Sequence, residues 1–137
     1  MPAKLPAATV RRLEKAARGA AKASYSPYSK FPVGAAILTG SGKIYTGCNV
    51  ENASYGLTNC AERTAIFSAA ALGEREVRAV AVYTPTPVPS SPCGACRQVI
   101  NEFGPDALVI CVCDGPGRIA TTLDRLLPAA FGPKNLL

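Results

Sequence analysis

The stretch Asn59-Cys60-Ala61-Glu62-Arg63, read together with Pro92-Cys93-Gly94-Ala95-Cys96, decides how the rest of the chain is arranged. Cys93 and Cys96 stand one helical turn apart, a spacing that lets both sulfurs reach one ion, and Cys60 offers a third sulfur from the first turn of another helix. Helix N-termini carry partial positive charge and free amide protons, which favours thiolate over thiol. Three thiolates on zinc leave one position open for water, whose pKa such an ion lowers to about 7. Glu62 lies two residues from Cys60 on the same turn, where its carboxylate can stand beside that water as a general acid and base. Thiolates also weaken the metal as a Lewis acid. Arg63 and Arg97, each just after a ligand helix begins, are placed to offset their charge.

Other readings of the same residues differ in what they require. Cys-x-x-Cys alone suits a redox pair, but a redox pair does not call for a remote Cys-x-Glu. A purely structural zinc site would take a fourth Cys or His. The chain has no histidine, and Cys48, Cys111 and Cys113 fall in apolar, strand-like runs as packing residues. Glu62 has a plainer role open to it as well: Asn59 as N-cap with Glu62 three residues later makes a capping box.

Working outward from the cysteines, helices alternate with strands. Thr9 reads as the N-cap of a first helix running to about Ser24, with Val10, Leu13, Ala17 and Ala20 or Ala21 forming one apolar stripe. Ser24 to Pro32 is a turn-rich loop, unusually aromatic with Tyr25, Tyr28 and Phe31. Val33 to Leu38 and Lys43 to Val50 form a hairpin around Thr39-Gly40-Ser41-Gly42. A polar loop, Asn49 to Gly56, leads into a helix from Asn59 to about Leu72, ended by Gly73. Glu76 to Tyr83 is a third strand. The Pro-rich piece Thr84 to Pro92 leads into a helix, Gly94 to Phe103, stopped by Gly104-Pro105. Leu108 to Cys113 is apolar throughout and so a central strand. Ile119 to Thr121 adds a short fifth, and Leu123 to Leu127 opens a last helix. This pattern predicts an α/β protein: a three-layer α/β/α domain with a mixed five-stranded sheet, filling residues 1–137 as a single domain.

Composition bounds the function. The 137 residues are 48% hydrophobic and 18% charged, which is globular. No apolar run approaches the roughly 18 residues that a membrane span needs, and Met1 to Tyr25 lacks the continuous apolar centre of a secretory signal. A cytoplasmic location is expected, and there six cysteines read as metal ligands or core residues rather than disulfides. The net charge of +6 reads as a mildly basic solvated surface, because the basic residues are spread along the chain with few interleaved aromatics. A nucleic-acid substrate is therefore not expected.

Cys60-Ala-Glu followed by Pro92-Cys-Gly-Ala-Cys96 matches the zinc deaminase signature. Further stretches agree in order: Ser26-Pro-Tyr-Ser-Lys-Phe-Pro-Val-Gly34, Asn49-Val-Glu-Asn-Ala-Ser-Tyr55, Cys60-Ala-Glu-Arg-Thr-Ala65, Pro92 to Gln98, and Leu126-Leu-Pro-Ala-Ala-Phe-Gly-Pro133. Together they closely resemble the small homotetrameric cytidine deaminases, over most of the chain. The resemblance implies one Zn²⁺ per subunit on Cys60, Cys93 and Cys96, with zinc hydroxide attacking C4 of the base and Glu62 shuttling protons. Cytidine or deoxycytidine would become uridine or deoxyuridine plus ammonia, a step of pyrimidine salvage. By the same resemblance Asn49 and Glu51 meet the ribose, Phe31 packs near the nucleoside, Ala61 contacts the base through its backbone, and Ala53 joins the substrate-binding set. Tyr55 and Phe131 match residues lent to a neighbouring subunit's site in a homotetramer. Related alternatives are a deaminase resembling those of blasticidin S, an enzyme acting on polynucleotides, and a non-catalytic zinc module. The polynucleotide enzyme would need a basic, aromatic-lined channel.

Overall fold

A computed structural model describes residues 4–137. The first helix, α1, spans Ala7–Ala20 and continues as a 3₁₀ turn over Ala21–Ala23. Its N-cap is Pro6, not Thr9, because Val10 already donates to the Pro6 carbonyl and Thr9 lies inside the first turn. Strands β1 (Gly34–Thr39) and β2 (Ile44–Cys48) form the predicted hairpin. Helix α2 (Ala61–Ala71), β3 (Val77–Tyr83), α3 (Gly94–Phe103), β4 (Leu108–Val112), β5 (Ile119–Thr122) and the short α4 (Leu123–Leu126) complete the order. The second strand stops short of the expected Val50, which instead bridges to Tyr25 on one side and Asn59 on the other.

The five strands make one mixed sheet in the order β2-β1-β3-β4-β5; only the β3–β4 pair is parallel. Successive side chains on the inner strands go to opposite faces. Ala35, Ile37, Val80, Val82, Val109 and Cys111 pack against α2 and α3, with Ala65, Ile66 and Ile100 facing them. Ala36, Leu38, Ala79, Ala81, Ile110 and Val112 pack against α1 through Leu13 and Ala17. Both faces are thus covered, which is why β1, β3 and β4 read as nearly continuous apolar runs. Leu13, fully buried, is the main anchor of α1, and burying such a side chain is worth about 2 kcal/mol.

Small residues set how closely the helices approach. A β-carbon on Gly34 would lie 1.9 Å from the Ala17 carbonyl oxygen, and one on Gly47 would lie 2.4 Å from the Ala65 amide nitrogen. The hairpin is therefore pressed by α1 on one face and by α2 on the other. Because β2 and β3 are both antiparallel to β1, they run the same way, and each is followed by a helix that starts beyond its C-terminal end. The N-termini of α2 and α3 consequently open at the same edge of the sheet. Among the described residues no helix is long and apolar enough to cross a membrane.

Candidate metal centre and active site

Each of those two helices begins at a cysteine. Cys60 (φ −72°, ψ 156°) is the N-cap of α2 and Cys93 (φ −66°, ψ 168°) that of α3; neither side chain caps its own helix. The capping-box reading of Asn59 and Glu62 therefore fails. Asn59 is drawn into backbone pairing with Val50, its side-chain amide donates to Thr64 Oγ1 at 3.1 Å, and the cap moves one residue onward. Glu62 is left at the second helical position with no capping duty.

The sulfurs of Cys60, Cys93 and Cys96 lie within 4.8 Å of one another, and the Cys60 and Cys93 sulfurs are 3.9 Å apart. Zinc–sulfur bonds of about 2.3 Å in a tetrahedron put sulfurs about 3.8 Å apart, so the Cys60–Cys93 pair already matches and Cys96 needs to close by no more than about 1 Å. Cys96 is fully buried, Cys60 half-buried and Cys93 exposed, which leaves the cluster open on one side. The Cys60 thiol is brought down to about 5, first by the neighbouring Cys96 thiol and then by Arg63, against the opposing effect of burial. Cys60 in turn, together with burial, pushes Cys96 upward, so in the free cluster the charge sits on Cys60 and the proton on Cys96.

Arg63 Nη2 donates to Cys60 Sγ at 3.2 Å, and its Nε is buried without a partner. The expected charge offset thus holds for Arg63. It does not hold as a sulfur contact for Arg97. Its guanidinium donates instead to the Pro92 carbonyl (2.7 Å), the Leu126 carbonyl (2.9 Å) and Ser91 Oγ (2.8 Å). Long-range carbonyls of the Pro-rich loop and of α4 capture it, so Arg97 braces the approach to Cys93. Glu62 is 5% exposed, and burial, reinforced by Cys60 and opposed by Arg63, pushes its carboxyl up to about 7. A carboxyl poised there can both accept and return a proton near neutral pH. Cys111 is also buried, and that burial raises it to about 12; it stays a thiol in the core, as expected of a packing residue.

Cys60, Ala61 and Glu62 form one wall of a cavity of about 370 Å³ shared with Phe31, Asn49 and Glu51. These six of the expected site residues are brought together. Tyr55 lines an adjoining cavity of about 240 Å³ that shares Ser29, Glu51 and Thr58, and its ring meets Tyr28 with centroids 5.7 Å apart. Ala53 is exposed and lines neither cavity. Phe131 is exposed on the C-terminal tail, where its carbonyl accepts from Gln98 and Asn101 of α3, and it does not line the main cavity. Val33, Thr58, Val82, Thr84, Ser90 and Ser91 also line the main cavity and were not anticipated. Only the Pro-rich approach to Cys93 signalled the last three.

Asn49 and Glu51 are already occupied within the chain. Asn49 Oδ1 accepts from the Val33 amide at 2.9 Å and from Ser24 Oγ, and its Nδ2 donates to the Phe31 carbonyl at 2.8 Å. Glu51 accepts from the Tyr28 and Ser29 amides at 2.9 and 3.1 Å and from the Ser29 hydroxyl, and the Ser29 hydrogen bond above all holds its carboxyl below the usual range. The two side chains thereby hold the aromatic loop against the cavity mouth.

Comparison with known proteins agrees with this geometry. Residues 8–112 match the family model described as the cytidine and deoxycytidylate deaminase zinc-binding region. A cytidine deaminase of Sporosarcina psychrophila is 49% identical over 128 residues, covering 93% of this chain and 94% of that protein. The crystal structure of cytidine deaminase from Burkholderia pseudomallei superposes with a TM-score of 0.85 at 51% identity, over 88% of this chain and 98% of that one. That of the Mycobacterium tuberculosis enzyme gives 0.74 at 39% identity, over 90% and 98%. The chain belongs to the cytidine and deoxycytidylate deaminase family.

Proposed function

We propose that the protein hydrolyses cytidine and deoxycytidine to uridine and deoxyuridine with release of ammonia. The observation that carries this reading is the meeting, at one cavity wall, of three thiols spaced for zinc and a buried carboxyl raised to about 7. Zinc bound by Cys60, Cys93 and Cys96 would supply a Lewis acid that makes water nucleophilic near neutral pH. Glu62 takes one proton from the water and delivers it to the ring nitrogen N3, then takes the second from the hydroxyl now on C4 and delivers it to the departing amine, which leaves as ammonia. Arg63, donating to Cys60, keeps that thiol ionised. The Ala61 backbone is within reach of a base seated on this wall.

Toward the mouth, Phe31 offers an apolar contact, and Asn49 and Glu51 present remaining hydrogen-bonding capacity to sugar hydroxyls. A carboxylate there repels a phosphate, which favours a nucleoside over a nucleotide. Tyr55 and Phe131 do not line this cavity, which accords with sites completed between subunits of a homotetramer. Six free cysteines accord with a reducing, cytoplasmic setting, and the deamination of a free nucleoside would give the enzyme a place in pyrimidine salvage.

Ultraviolet absorbance tests the reading. The zinc-loaded protein is expected to convert the spectrum of cytidine to that of uridine. A Glu62→Gln variant is expected to retain zinc and lose about 10²–10⁴-fold or more in rate. Unchanged cytidine and deoxycytidine with wild type would sink the nucleoside assignment, and a fully active variant would sink the role of Glu62.

A further inference from the structure

The net positive charge of the protein is concentrated in the segment that forms and flanks α1. Six of the 15 basic residues and one of the nine acidic residues fall between Lys4 and Lys22, leaving nine basic against eight acidic elsewhere, so this segment holds nearly all of the net +6. Arg11, Lys15 and Arg18 recur at four and three residues on α1, and Lys22 follows four residues later on the 3₁₀ turn. At 100° per residue they fall in a stripe about 60° wide and, at about 1.5 Å rise per residue, about 17 Å long. All four are exposed, with Arg12 exposed beside them, and Leu13 and Ala17 are buried on the opposite face.

Among the described residues no ion pair engages the cations of this stripe. The one ion pair among the described residues joins Arg118 to Glu14, so the single acid of α1 is itself matched by a cation from the β4–β5 loop. Arg18 is held in place by the Cys113 carbonyl at 3.0 Å and by the Tyr83 ring, 5.2 Å from its centroid. Like charges at these spacings repel along a helix, and the one acid beside them, Glu14, has its carboxylate taken by Arg118.

We propose that this face of α1 is a docking surface for the phosphate backbone of a nucleic-acid strand, separate from the deaminase cleft. A strand presents phosphates in a line, as the stripe presents its cations, and the guanidinium groups of Arg11 and Arg18 suit paired donation to phosphate oxygens. A membrane is the weaker match. Surface helices hold to lipid by inserting an apolar face, and that face of α1 is spent on the sheet. The polynucleotide is bound, not deaminated; binding would tether the enzyme to nucleic acid.

The test is fluorescence anisotropy of a labelled oligodeoxyadenylate of about 20 nucleotides, which offers the cleft no cytosine or uracil, titrated with full-length zinc-loaded protein over a range of salt. Binding is expected with a log–log salt slope of about −3, from four cations at about 0.7 each on a single strand. The double variant Arg11→Gln/Lys15→Gln is expected to lower the slope by about 1.4 and the affinity by about 25-fold at 0.1 M salt, with cytidine turnover unchanged. A matched pair off the stripe, Lys43→Gln/Arg78→Gln, removes the same charge and is expected to change the slope little. Absence of salt-dependent binding would overturn the proposal. So would equal loss in both double variants, or binding to phosphatidylserine vesicles without binding to the oligonucleotide.

Discussion

The first turns of α2 and α3 begin alike and then diverge. Cys60-Ala61-Glu62-Arg63 and Cys93-Gly94-Ala95-Cys96 both open on a cysteine at the cap with an extended backbone and no capping bond. A polar cap side chain is typically worth about 1 kcal/mol, and both helices do without one, leaving the sulfur free to ligate. At the next positions the turns divide the work. In α2, Glu62 is buried and Arg63 reaches the sulfur; in α3, Ala95 is exposed and Cys96 is buried as the third sulfur. On the proposed reading, one turn supplies the proton carrier and the countercharge, the other the second and third thiolates. Two identical helix starts can thus build an asymmetric site, because burial rather than position on the helix decides what each residue does.

The most damaging break falls on α3. Cys96→Ala removes a fully buried sulfur, and elemental analysis is expected to find little zinc, with deamination lost entirely. A sharper version moves the carboxylate across the comparison. Glu62→Ala combined with Ala95→Glu restores a glutamate at the same helical position of the other turn, but in solvent, so its acidity stays ordinary. Zinc is expected to remain and the rate to stay as low as for Glu62→Ala alone; recovery to within tenfold of wild type would show that burial is not what fits Glu62 for its task.

A smaller effect comes from beneath α2. Gly47→Ala places a methyl 2.4 Å from the Ala65 amide nitrogen and must displace the helix that carries Cys60 and Glu62. Chemical denaturation is expected to register a loss of about 1–3 kcal/mol, with weakened zinc retention. The smallest effect belongs to Cys111, a buried thiol on β4 that burial keeps protonated. Cys111→Ala is expected to leave zinc content and turnover intact while costing on the order of 1 kcal/mol in stability.

How much could be read in advance follows from the range of the interactions. The sheet order needed the structure, but the hairpin, the alternation of helix and strand and the thiol cluster were written in local pattern and spacing. The cap of α1 was misplaced because Pro6 ends the preceding chain as well as Thr9 would begin a helix, and only the Val10 bond decides between them. Asn59 looked like a cap until Val50, nine residues away, claimed its backbone. Arg97, beside a ligand, was captured by Leu126 on a different helix. Likewise the surplus charge looked dispersed along the chain, although helical geometry draws much of it onto one line of α1. The errors at Asn59 and Arg97 share a cause: each group goes to a partner that local sequence does not specify.

Cys60 and Cys93 are 33 residues apart in the chain, and the segment between them contains all of α2 and β3. A metal held by both would act as a clasp as well as a reagent. Closing a loop of that length removes denatured-state freedom worth about 3–4 kcal/mol if the link behaves as a covalent one. Chelation would then take away the chemistry and loosen the hinge between sheet and helices in a single event, so the protein would have no intact but inactive apo form of equal durability.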